Sequence, residues 1–173
     1  MREEHRQLLN DVFLAVRGRI WELERVIHPE GRPLTAQQQW SIDEMLTSQL
    51  GRDLADIIAY AEGYQDSALR VKRAIERVYR ALFGSVLDDG YSVLKNFEKV
   101  HLGQIINQAR VRMFRPEELL APRQMREKLG VARQTVYDWI AEGKLIPVYV
   151  DGKIMFPQEQ VEQFLTHRRR RRE

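Results

Sequence analysis

The pair Gly130-Val131, set between two runs whose apolar residues recur every three or four positions, constrains this chain more than any other feature. Upstream stands Pro122, whose fixed φ and missing N–H suit the first position of a helix. Met125 and Leu129 follow on one face, so the spacing predicts a helix over 122–129. Gly130 stops it, because a glycine just past the last apolar position can turn left-handed, and Val131 folds back as the plug of the turn. Downstream, Val136, Trp139 and Ile140 share one side of a second helix over 133–142 and leave Arg133, Gln134, Tyr137 and Asp138 on the other. Gly143 ends that helix.

After the connection Lys144, Leu145, Ile146, Pro147, two β-prone runs at 148–150 and 153–156 are joined by Asp151-Gly152, the signal of a type I′ hairpin. The hairpin is a candidate wing. A short helix, a tight turn and a second helix with polar residues at its head is the arrangement that lays a helix in the major groove of DNA. The run LGVARQTVYDWIAEGKLIPVYVDGKIMFPQEQVEQFL resembles the winged helix-turn-helix of the excisionase and MerR-type DNA-binding families, with Leu129, Gly130, Val131, Thr135, Val136, Trp139, Gly143, Leu145 and Pro147 in register.

That resemblance implies double-stranded DNA as the partner, and a part in transcription regulation or in assembling a recombination complex. Position by position it gives Arg133, Gln134, Thr135 and Tyr137 to the major groove. Arg123 and Lys144 go to phosphates, and Tyr149 and Lys153 to the wing 148–156. Three departures stand out. Ala121 and Ala132 occupy positions where such families carry a Ser or Thr helix cap, a loss of about 1 kcal/mol each. Asp138 replaces a frequent Arg, and an acid there repels phosphate or accepts from a cytosine amino group.

Charge is unevenly spread. Residues 1–113 carry 16 Lys and Arg against 16 Asp and Glu, whereas residues 114–173 carry 12 against 9 and so hold the whole net charge of +3. Arg168, Arg169, Arg170, Arg171 and Arg172 account for that excess, since residues 114–167 alone hold 7 basic against 8 acidic side chains. Two readings of the run remain open: a solvated end to the last helix, or a phosphate clamp or minor-groove arm.

The absence of cysteine excludes disulfides and thiol chemistry, and His5, His28, His101 and His167 are too scattered for a metal motif. Neither a phosphate-binding loop nor a nucleophile with a nearby base is seen, so no catalytic residue, cofactor or metal is assigned and the chain is not read as an enzyme. No apolar run approaches the length of a membrane span, and the opening MREEHRQLLN is too charged for a signal peptide. The expectation is a cytoplasmic, nucleoid-associated protein with no membrane contact.

The first part is read as helices. Leu9, Val12, Phe13, Val16, Ile20, Leu23 and Ile27 form one stripe over 2–27, closed by His28-Pro29 and a turn at 30–33. A second helix starts at Thr35 and continues unbroken through Gly51 to about Ala61. A third, capped by Asp66, buries Val71, Ile75, Val78 and Leu82 and stops at Gly84. A turn at Asp88-Asp89-Gly90 precedes further helix from Tyr91 to Met113, broken near His101 to Gly103, and Trp21, Trp40 and Tyr79 are read as core or interface.

The fold class is therefore mainly α. A helical bundle at 1–113, expected to pair two copies of the chain or bind a protein partner, is followed by a small winged helix-turn-helix domain at 114–173 with one hairpin, the boundary at Arg115-Pro116. The rival reading is an adaptor whose helices dock a protein and whose winged part does not read DNA. A last helix after Pro157 uses Val161, Phe164 and Leu165 to close the winged domain.

Overall fold

The structure, a computed structural model, describes residues 2–27, 42–84, 91–93 and 96–170, with the backbone alone at 21–27, 42–43, 45 and 167–170. The turn at 28–33, the Thr35 cap, the side chains of Trp21 and Trp40, the Asp88-Asp89-Gly90 turn, and Arg171 and Arg172 lie outside the described residues. Two compact units make up the chain, Met1–Gly84 and Ser85–Glu173. The break expected at Arg115-Pro116 therefore falls inside the second unit.

In the first unit, α1 (Glu3–Ile27) buries Leu9, Val12 and Phe13, the first three positions of the expected stripe, together with Leu8 beside them. α2 (Ile42–Thr47) and α3 (Gln49–Ala61) stand where one continuous helix was expected. Ser48 separates them: its backbone is extended, and its hydroxyl accepts from the Gly51 N–H at 3.1 Å, so a local capping bond outcompetes helix continuity. α4 (Ala68–Phe83) ends at Gly84 as expected, but its cap position is Ser67 rather than Asp66.

Leu54, Ile57 and Ile58 of α3 and Val71, Ala74, Ile75 and Val78 of α4 supply the buried faces of this pair. One charge enters the core. Asp53, 1% exposed, takes Nε and NH2 of Arg77 at 2.7 and 2.6 Å and the Gln49 amide at 2.8 Å, the pairing a buried carboxylate requires.

In the second unit a 3₁₀ turn at Phe97–Lys99 leads into α5 (His101–Met113). The expected helix from Tyr91 thus begins only at His101. A second 3₁₀ turn, Pro116–Glu118, precedes β1 (Leu119–Leu120), and then come α6 (Pro122–Leu129), α7 (Arg133–Ala141), β2 (Val148–Val150), β3 (Lys153–Pro157) and α8 (Gln158–Arg170). The sheet runs β1-β3-β2, all antiparallel, with Leu120 opposite Phe156 and Val148 opposite Met155. β1 was not legible in the sequence.

Met125, Leu129, Val136, Leu145, Phe156 and Val161 form one core cluster of this unit, and Leu102, Ile105, Ile106 and Ala109 of α5 are buried as well. Val131, Trp139, Ile140, Phe164 and Leu165 pack around that cluster, so both helices of the turn, the hairpin and α8 close on the same centre. The mainly helical class with a small winged domain at the C-terminal end holds. Among the described residues no helix is long and apolar enough to cross a membrane, and no group of three or more His, Asp or Glu is placed to hold a metal ion.

Candidate nucleic-acid interface

Gly130 sets the angle between the two helices of the turn. It lies at φ 62°, ψ 43°, a left-handed conformation that a side chain resists, and the Val131 N–H reaches back to the Arg126 carbonyl at 3.3 Å. Val131 then packs on the core as the plug of the turn.

The two missing caps have different outcomes. At the head of α6, the Gln124 side chain accepts from the Ala121 N–H at 2.8 Å and Pro122 needs no partner, so half a capping box survives without a hydroxyl. At the head of α7, Ala132 makes no side-chain cap. The free N–H groups of the first turn of α7 are left to solvent or ligand, beside the exposed Arg133 and Gln134.

Two bonds at spacing i, i+4 order the outer face of α7. The Arg133 guanidinium lies over the Tyr137 ring, 5.4 Å from its centroid, with NH2 3.4 Å from the phenol oxygen. The Gln134 amide donates to Asp138 at 2.8 Å. Thr135 is half-buried beside them. The inner face carries Val136 into the core and Trp139 against Phe164, ring centroids 4.5 Å apart.

α7 ends where the sequence placed its end. Gly143 is at φ 69°, and the Trp139 carbonyl accepts from the N–H groups of Lys144 and Leu145 at 2.8 and 3.1 Å. The Ser92 hydroxyl donates to the Glu142 carbonyl, so the segment 91–93 is fastened to the last turn of the helix.

The hairpin turns at Asp151 and Gly152, both at positive φ (48° and 74°), as a type I′ turn demands. Lys153 is exposed on it. Tyr149 is held differently: its N–H donates to Asn107 at 2.8 Å, its carbonyl accepts from the same amide at 2.9 Å, and burial together with Glu98 pushes its phenol pKa up. Its backbone is thus tied to α5, with the ring half-buried.

α5 also fixes the connection between α7 and β2. Arg110 donates to the carbonyls of Ile146 and Pro147 at 2.8 and 2.7 Å. From the other side Gln160 of α8, with its amide oriented to match, pairs with both backbone groups of Ile146 at 3.0 and 3.2 Å. Ser92, Asn107, Arg110 and Gln160 are the residues the sequence reading missed. A polar residue at helical spacing carries no signal for the backbone it will meet.

The remaining candidate cations sit in surface pairs. Arg123 meets Glu127 at 3.0 Å and Lys144 meets Glu142 at 2.6 Å, all four side chains more than half exposed. Exposed pairs of this kind contribute little and exchange readily for another anion. Arg168, Arg169 and Arg170 continue the backbone of α8, so the basic run begins inside the last helix.

No curated protein and no solved structure matches the chain. The family of helix-turn-helix domains does match, over residues 119–169, which run from β1 into α8, so this part of the chain is similar to a helix-turn-helix domain.

Proposed function

We propose that the protein is a sequence-specific double-stranded DNA-binding protein, a transcriptional regulator or an excisionase-like architectural factor, with α7 in the major groove and the hairpin β2–β3 as wing. The observation that carries this reading is the outer face of α7, where Arg133, Gln134, Tyr137 and Asp138 stand exposed as two ordered pairs. Those groups offer the forked donors and the amide that read base edges. Lys153 on the hairpin and Arg123 and Lys144 beside the turn meet phosphates, and Tyr149 anchors the base of the wing. The N-terminal helices pair two copies, as two-fold half-sites require.

An electrophoretic shift assay across genomic fragments tests the reading. A salt-sensitive shift on a subset of fragments, with a two-chain mass by light scattering, is the expected result. A chain that shifts no fragment at low salt overturns it.

A further inference from the structure

We propose that α4 carries a second phosphate-binding face, directed at the DNA backbone and separate from the helix-turn-helix domain. The inference rests on the DNA-binding reading above. Between residues 70 and 80 the exposed positions of α4 are Arg70, Arg73, Glu76, Arg77 and Arg80. Steps of three, four and three keep the four arginines on one face of the helix, opposite the buried Val71, Ala74, Ile75 and Val78.

The arginines alternate in how they are held. Arg70 places Nε on Asp56 at 2.6 Å, and Arg77 places Nε and NH2 on the buried Asp53. A guanidinium has five N–H donors, so each carboxylate fixes one edge of the fork and leaves further donors for an anion. Arg77 stays 46% exposed in its side chain although its partner is buried, which is the disposition of an oriented donor. Arg73 and Arg80 alternate with these two and stand exposed, free to adapt.

The composition of the face selects its partner. A protein partner is held by a buried apolar and aromatic centre. Here every exposed position from 70 to 80 is charged, and Leu69, exposed at the head of the row, is a single aliphatic side chain rather than an apolar centre. A row of four cations about 15 Å long, at 1.5 Å per residue, instead suits a polyanion such as a duplex, whose phosphates continue along the whole length of the row. The planar forks suit phosphate bidentately.

The test is the double variant Arg73→Gln, Arg80→Gln in the full chain, which spares the pairs joining α3 to α4. Thermal unfolding unchanged from the parent establishes the fold. Affinity is expected to fall alike on cognate and random DNA, and the slope of log affinity against log salt to flatten by about two, at roughly 0.9 per phosphate contact. The ranking of sequences stays as in the parent.

An unchanged slope, in a protein whose Arg133→Ala variant still loses site discrimination, overturns this inference and leaves the DNA-binding reading standing. Loss of binding to an acidic protein segment with the DNA slope intact overturns it too. A parent chain with no salt-sensitive shift removes both.

Discussion

The Arg133 guanidinium lies over the Tyr137 ring, 5.4 Å from its centroid, with NH2 3.4 Å from the phenol oxygen. A cation–π contact of this kind narrows the rotamers of a long side chain before it meets a ligand. An ordered guanidinium at the head of α7 can bridge the two acceptors of guanine. Arg133→Ala is therefore expected to cost about 1 to 3 kcal/mol of discrimination at one base pair and much less on random DNA. Binding titrations on cognate and scrambled duplexes measure the difference, and equal losses on both would remove the base-reading role.

Gln134 donates to Asp138 at 2.8 Å. In the DNA-binding reading proposed above, that bond engages one amide hydrogen and leaves the second N–H and the carbonyl oxygen to an adenine edge, while the carboxylate disfavours phosphate. Asp138→Ala should raise affinity for random DNA and blur the preference at a single position. Selection from a randomised duplex pool reads both effects; a preference as sharp as the parent's shows that Asp138 does not position Gln134.

Gly143 admits no side chain. Its φ of 69° is left-handed, and a Cβ there would lie 2.5 Å from the Ser92 hydroxyl and from the Val93 nitrogen. Gly143→Ala is expected to destabilise the second unit by about 1 to 3 kcal/mol, through backbone strain and displacement of the 91–93 segment. Urea unfolding followed by Trp139 fluorescence, in a background with Trp21→Phe and Trp40→Phe, checks it. An unshifted midpoint would show that the segment yields freely.

Truncation after His167 separates affinity from choice of site. If Arg168 to Arg172 touch phosphates, the shortened chain binds all sequences more weakly, with a salt slope flatter by several units at about 0.9 per contact, and keeps their ranking. A slope equal to the parent's assigns the arginines to a solvated end.

Phe156 is the largest fully buried side chain among the described residues, and it joins β3 to α6 and α8. Phe156→Ala should cost about 3 to 5 kcal/mol and abolish the helix-turn-helix fold before the first unit melts. Calorimetry resolving two transitions, with only one lost, is the expected outcome. Loss of both together would tie the two units into one cooperative structure.

The helix-turn-helix was legible because its punctuation is local. Gly130, Gly143 and Asp151-Gly152 each sit where only certain backbones are allowed, and Met125, Leu129 and Val136 keep helical spacing around them. β1 was not legible, since two residues carry no period and pair only because Phe156 and Pro157 lie opposite. The break at Ser48 was hidden by an apolar stripe that continues across it, a side-chain cap deciding what periodicity could not. The grouping of α5 with the winged part was hidden for a related reason. Asn107 and Arg110 spend their polar groups on backbone 36 to 42 residues further along the chain, at a distance no local pattern encodes.

One consequence of Asn107 concerns how the domain is to be cut out. A carboxamide offers one donor and one acceptor side by side, the same pair a neighbouring strand would present, and on Tyr149 it takes the place that a fourth strand would occupy. β2 is thereby withdrawn as a template for foreign chains. A fragment starting at residue 114 would restore that open rim, and copies of it should zip together through β2 into ribbons that a fragment starting at residue 85 does not form.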